Sequence, residues 1–352
     1  WLIIVLGLMP FGSLAYLLLG GNHLSAFNQR RLRSMERKIR KNLKNECGRS
    51  ASLGELMGED AACMAHYLEQ TTHCPVYGNT RTKYYPLGDN CYDDILCALR
   101  GAERYIFIEY FIIEEGKLWN SVLDILREKA EQGLEVRVIY DDIGSMATLP
   151  GDYPARLEQV GVHCRVFNRF VPVVSLRQNN RDHRKYMIVD GRMAFTGGIN
   201  MADEYINVKR RFGHWKDSAI RLEGDAVWSM TVSFLAMWDF THSEEEHFTP
   251  FRPEPAQGGA QGYVQPYHDC PWDNEAVGQS VYLNLIYRAK RYVYITTPYL
   301  VIDYSLTMAL TSAAKSGVDV RIITPHIPDK KTVFEMTRSY YEELLEAGVQ
   351  IF

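Results

Sequence analysis

The first 20 residues, WLIIVLGLMPFGSLAYLLLG, are apolar and carry no charge. A bilayer span needs roughly 20 predominantly apolar residues, and Pro10 and the glycines are tolerated in one. The pattern therefore predicts a transmembrane helix over 1–20. Behind it, QRRLRSMERKIRKNLK (29–44) carries Arg30, Arg31, Arg33, Arg37, Lys38, Arg40, Lys41 and Lys44 against Glu36 alone. A basic collar after an apolar run faces the cytoplasm and attracts anionic membrane lipid. A signal peptide would carry its basic residues before the apolar core. The expected localisation is the cell membrane, with the part that follows residue 45 cytoplasmic.

Further along, the apolar spacing becomes that of an α/β protein. KLWNSVLDILREKAEQ (117–132) is apolar at helical spacing. Gly133 is its C-cap, and LEVRVIY follows as a short strand. YMIV (186–189) reads as a strand of the buried kind, and MAFTGGIN (193–200) as its antiparallel neighbour. Helices alternating with short apolar strands predict a largely parallel sheet covered by helices.

That rhythm occurs twice. RGAERYIFIEYFI (100–112) matches YRAKRYVYITTPYLV (287–301), AEQGLEVRVIYDD (130–142) matches AAKSGVDVRIITPH (313–326), and LEQVGVHCRVF (157–167) matches LLEAGVQIF (344–352). The offsets are 187, 184 and 187 residues. They are too long for a solenoid and read as a duplicated α/β unit. The expected organisation is a transmembrane helix (1–20), a basic juxtamembrane segment (21–50), a first unit (51–247), a Pro/Gly-rich connection (248–265) and a second unit (266–352).

Composition narrows the function little. The 352 residues carry a formal net charge of −4, so no global basic field points to nucleic acid. Seven cysteines without a CxxC pair read as reduced thiols. The chain starts at Trp1 and stops in an apolar run, and both ends read as cut.

The chemistry concentrates in HRKYMIVD (183–190). Residues i and i+2 of a strand share a face, so His183 and Lys185 are expected to point into one pocket. Asp190 sits at the far end, in a turn with Gly191. Gly197 and Gly198 would let the backbone approach a phosphate, and Asn200 would add a donor. A lysine neutralises charge that builds on a phosphodiester. A neutral imidazole can attack phosphorus and form a covalent intermediate. A second acid must protonate the leaving alkoxide and later activate the incoming alcohol. One motif supplies half of this, and duplication would supply the rest.

HxKxxxxD followed by GGxN resembles the phospholipase D superfamily. RDHRKYMIVDGRMAFTGGINMADEYIN, YDD (140–142), HWKDSAIRLEGDAV (214–227), FLAMWDF (234–240) and TTPYLVID (296–303) resemble its bacterial cardiolipin synthases across almost the whole chain. The resemblance implies an α/β fold of two phospholipase D-like units with mostly parallel or mixed sheets, the transmembrane helix ahead of them. It implies a phosphatidyltransferase that joins two phosphatidylglycerols into cardiolipin and glycerol through a phosphohistidine, with no cofactor and no metal. The alternative is a phosphodiesterase that hydrolyses phospholipid or nucleic acid. Its catalytic set is His183, Lys185 and Asp190. Lys185, Gly197, Gly198, Asn200 and Glu204 bind phosphate or support the site, Glu204 by orienting a histidine. The expected partners are phosphatidylglycerol and anionic lipid, not nucleic acid, and a homo-oligomer is compatible. The repeat places a second HxKxxxxD roughly 185 residues after His183, beyond Phe352, so the segment in hand is expected to be inactive alone. Which histidine attacks stays open.

Other polar residues have plainer readings. His214 is expected at the pocket rim, with no separate role for Lys216 or Asp217. Asp141 and Asp142 tip a strand as solvated or pocket-floor groups, Glu109 is paired or at a strand end, and Tyr299 borders the pocket. His242, Glu244, Glu245, Glu246 and His247 read as a solvated linker face.

Overall fold

Strands whose residues are buried on both faces form the centre of the molecule. The computed structural model describes residues 2–19, 26–48, 53–170, 180–241, 246–256, 259–270 and 275–352. Its larger sheet has seven strands in the order β1-β7-β6-β5-β2-β3-β4. These are β1 (Thr80–Tyr85), β2 (Tyr105–Tyr110), β3 (Glu135–Asp141), β4 (His163–Phe167), β5 (Lys185–Val189), β6 (Met193–Gly197) and β7 (Ala219–Gly224). β2, β3 and β4 run parallel, whereas β5, β6, β7 and β1 join antiparallel. Every residue of β2 and β5 is buried, which requires cover on both faces.

The two covers use alternate residues of the same strands. Ile106, Ile108, Met187, Val189 and Phe195 pack under helices Asp89–Arg100 and Lys117–Glu131. Tyr105, Phe107, Tyr186, Ile188 and Leu222 pack against helix Val227–Thr241. That helix is apolar on all sides and buried from Val227 to Trp228 and on through Phe240, apart from the partly accessible Ser233. A helix of this kind belongs in a core.

The basic segment has a structural partner. Helix Ala26–Leu43 buries Leu32, Met35, Ile39 and Leu43, one side of the helix, in the cluster formed with Val227–Thr241. Its Lys38 pairs with Asp239. The residues read as a juxtamembrane collar thus form an amphipathic helix seated on the domain.

The apolar start differs from expectation as well. Residues 2–19 form two short helices, Leu2–Gly7 and Phe11–Leu19, on either side of Pro10. Proline has no N–H to continue a helix. At about 1.5 Å per residue neither piece approaches the roughly 30 Å of a hydrocarbon core. Among the described residues no helix is long and apolar enough to cross a membrane. The expected transmembrane helix is not there, and the cell-membrane localisation inferred from it loses its ground.

The duplication is visible in the fold. β8 (Tyr292–Thr296), β9 (Asp319–Ile323) and β10 (Gln350–Ile351) form a second parallel sheet in the order β10-β9-β8. Helices Val277–Arg288 and Tyr304–Lys315 precede β8 and β9, as Asp89–Arg100 and Lys117–Glu131 precede β2 and β3. The connection between the units is tied back by a bridge between Tyr77 and Val264.

Asp190 closes the β5–β6 hairpin in a left-handed conformation, φ 54°. Its carboxylate accepts the amides of Glu103, Arg104 and Tyr105 at 2.8–2.9 Å, which fixes the start of β2. Asp190→Ala removes all three acceptors and leaves a Cβ residue without local compensation at positive φ. We expect it to destabilise the fold by about 1–3 kcal/mol, read as a lower denaturant midpoint at unchanged slope.

Candidate active site

The site lies at the carboxyl ends of β2 and β3, where ligands of open α/β sheets bind. β5 starts there, with Lys185 opposite Tyr110. His183 precedes it by two residues, and its ring centroid stands 4.7 Å from that of Phe111. Lys185 Nζ lies 5.5 Å from the same ring and donates to the His183 carbonyl at 2.7 Å. Phe111, the residue after β2, thus props both side chains. By alternation Lys185 shares the face of Met187 and Val189.

Two unlike electrostatic states result. Partial desolvation, then the Lys185 charge, push the His183 imidazole down to about 4, with a smaller push from Lys330 and an opposing pull from Asp182, although the side chain keeps an exposed face. Burial pushes the Lys185 ammonium down to about 8, and Asp182 and Asp217 keep it from falling further. Near neutrality the pair is a neutral imidazole beside a cation.

The glycine pair makes this possible by a route the sequence did not reveal. A Cβ on Gly198 would lie 2.0 Å from Asp217 Oδ1, and one on Gly197 2.2 Å from the Ser218 carbonyl. The glycines let Asp217 come in beside Lys185. The Gly198 amide is already spent on the Ser218 carbonyl at 3.1 Å. Burial raises the Asp217 pKa, while the Ser218 amide and the Trp215 indole donate to it.

The other expected residues divide. Asn200 is buried; its Oδ1 accepts the Ile112 amide at 3.0 Å and its Nδ2 donates to the Tyr205 hydroxyl at 2.8 Å. It latches the chain after β2 to the segment after β6. Glu204 is buried, and its Oε2 has no hydrogen-bond partner among the described residues. Asp190 is at the opposite end of β5, about 16 Å of strand from Lys185, and acts on backbone amides there. His214 is exposed, and Lys216 donates to the Pro86 carbonyl. The Tyr299 hydroxyl donates to Asp329, and Lys330 lies 5.0 Å from the Tyr299 ring centroid, so the second unit borders the site through this loop. Glu246 pairs with Arg137; His242, Glu244 and Glu245 lie outside the described residues.

Behind the site, on the other face of β5, is a polar cluster that sequence reading missed. Arg184 reaches Glu109 at 3.3 Å, and the Tyr186 hydroxyl also donates to Glu109. Asp182 packs against the same group. Burial, then the Asp182 charge, raise the Glu109 pKa well above the carboxylate range. One Asp182 oxygen in this cluster has no hydrogen-bond partner among the described residues. Asp141, wholly buried, accepts the Asp182 amide at 2.9 Å and the Arg181 guanidinium at 3.3 Å. It is a structural anchor rather than a solvated strand tip. Asp142 accepts the Phe170 amide at 2.7 Å. The even-numbered spacing of 182, 184 and 186 was the available signal, but their partner on β2 follows only from the register.

Comparison with known proteins was made against this geometry. The family model described as "Cardiolipin synthase, PLD-like domain" matches residues 95–217 and 282–352. An uncharacterised protein of Streptococcus mutans is 47% identical over 290 residues, 82% of this chain and 63% of its own length. A cardiolipin synthase of Alkalihalophilus pseudofirmus is 33% identical over the whole chain and 70% of its own length. The chain thus spans about two thirds of the length of these relatives. The crystal structure of phosphatidylserine synthase from Haemophilus influenzae superposes with a TM-score of 0.53 at 14% identity, over 82% of this chain and 76% of that one. That likeness is one of fold.

Gly198→Ala tests the packing. Its Cβ must displace Asp217, so Lys185 loses a carboxylate that favours its charged form. We expect the Lys185 titration midpoint to fall below about 8, measured by NMR of the isotopically labelled ammonium side chain. Overpacking should also lower stability by about 1–3 kcal/mol.

Proposed function

We propose, from the premise that this chain belongs to the phospholipase D-like cardiolipin synthase family, that it is a phosphatidyltransferase that converts two phosphatidylglycerols into cardiolipin and glycerol. The observation that carries this reading is the placement of His183 and Lys185 together against the Phe111 ring at the start of β5, with Lys185 donating to the His183 carbonyl at 2.7 Å.

The reaction needs two imidazoles, of which His183 is one. One attacks the phosphorus of the first phosphatidylglycerol through its nitrogen lone pair. The P–N bond forms, the P–O bond to the headgroup breaks, and the other histidine gives the departing glycerol its proton. The terminal hydroxyl of the second phosphatidylglycerol then attacks the same phosphorus and yields its proton to that histidine, and the P–N bond breaks. Lys185 offsets negative charge on the phosphoryl oxygens in both transition states. We assign the second histidine to the further copy of the motif that the internal duplication leads us to expect after Phe352. Glu204, with its unpartnered buried oxygen, suits the role of orienting an imidazole.

The test is product analysis with labelled phosphatidylglycerol in detergent micelles and purified full-length protein. We expect cardiolipin and glycerol; phosphatidic acid as the only product would overturn transfer in favour of hydrolysis. His183→Ala should lower the rate by at least roughly 10²–10⁴, with thermal unfolding nearly unchanged. Normal turnover per folded molecule would remove His183 from the scheme.

The pH profile tells the two histidine roles apart. As the attacking group His183 must be neutral, so activity would rise as it loses its proton through about 4; as the acid for the leaving glycerol it must be charged, and activity would fall through the same value. The lysine must be charged, so activity should fall as Lys185 deprotonates through about 8. Lys185→Arg should be slower, because the guanidinium fork is larger. It should also lose the alkaline limb, because that group stays protonated.

A further inference from the structure

A cavity of about 1040 Å³ extends from His183 and Lys185 beneath the sheet, toward helix Val227–Thr241. Protein interiors carry few voids larger than a water molecule. This one is at the upper end of the roughly 300–1000 Å³ that encloses a drug-sized ligand. Its lining is mixed: Asp182, Arg184, His268, Asp269 and Glu275 contribute polar groups, and Leu222, Met230 and Met237 form a wall at β7 and helix Val227–Thr241.

This wall is built to stay open. Val227–Thr241 is otherwise made largely of bulky apolar residues, yet it presents Ser229 and Ser233, one turn apart, to the cavity. The Ser229 hydroxyl is paired with that of Tyr77 at 2.8 Å, so it leaves no unmet polar group there. Met35, Met230 and Met237 supply three flexible thioether chains, which adapt to occupants of varying shape.

We infer that this cavity holds one acyl chain of the phosphatidyl donor while its phosphate sits at His183 and Lys185, and that it sets chain-length preference. His183 and Lys185 line the same cavity as Leu222, Met230 and Met237, so an amphiphile with a phosphate at one end finds both of its parts accommodated there. The inference rests on the phosphatidyl-transfer reading for the identity of the donor.

The test uses phosphatidylglycerol with a photoreactive group near the end of one acyl chain, bound to the full-length protein in detergent micelles and mapped by mass spectrometry. We expect label on helix Val227–Thr241, at Met230 or Met237, and much less label there in Ser233→Phe, which fills the cavity. Turnover is the second readout. Ser233→Phe should lose long-chain substrate at least tenfold more than short-chain substrate, and short-chain activity certifies that the variant folds. Label confined to the outer surface, or a variant that treats both chain lengths alike, overturns the inference even when cardiolipin is made. Label in the helix with phosphatidic acid as product upholds the cavity and sinks transfer.

Discussion

The carboxylate of Asp141 ends β3 and accepts the amide of Asp182 at 2.9 Å; it also takes the Gly144 amide at 3.0 Å and the Arg181 guanidinium at 3.3 Å. Buried and without donors, this carboxylate would be costly. With three donors it becomes a fixed point for the segment that enters β5. A strand's side chains alternate, so holding Asp182 decides the face of every residue after it. A slip of one residue would exchange the two faces. His183 and Lys185 would change places with Arg184 and Tyr186.

Parity keeps two charge systems apart. On one face the Lys185 ammonium has Asp217 for company and is available to an anion. On the other, Arg184 is matched by Asp182 and by Glu109, whose hold on its proton burial and the Asp182 charge strengthen. Removing one member of such a cluster costs more than the cluster contributes. The polar network is therefore better understood as a device for positioning β5 than as a source of stability.

What could be read from the sequence was what local pattern decides. Helix, Gly, short strand and polar tip recur in both units with the same residue types, so the duplication was legible. The β5–β6 hairpin was legible from a buried run broken at Asp190-Gly191. The error at the amino end came from counting apolar residues without giving Pro10 enough weight. The basic stretch hid its own signal: Leu32, Met35, Ile39 and Leu43 recur at helical spacing among eight cations, and the charge count drew attention away from them. Asp217 looked inert because its importance depends on a steric fact, the missing Cβ of Gly198. Glu109 and Arg184 are 75 residues apart, and only the register of β2 on β5 makes them partners.

The second unit contributes more than a repeat of the first. Its loop brings Lys330, stacked near Tyr299 and next to Asp329, close enough for its charge to act on His183. Burial does most to depress the imidazole's basicity, the Lys185 charge follows, and Lys330 of the second unit adds the smallest part. Two lysines, one from each unit, thus place positive charge about the imidazole.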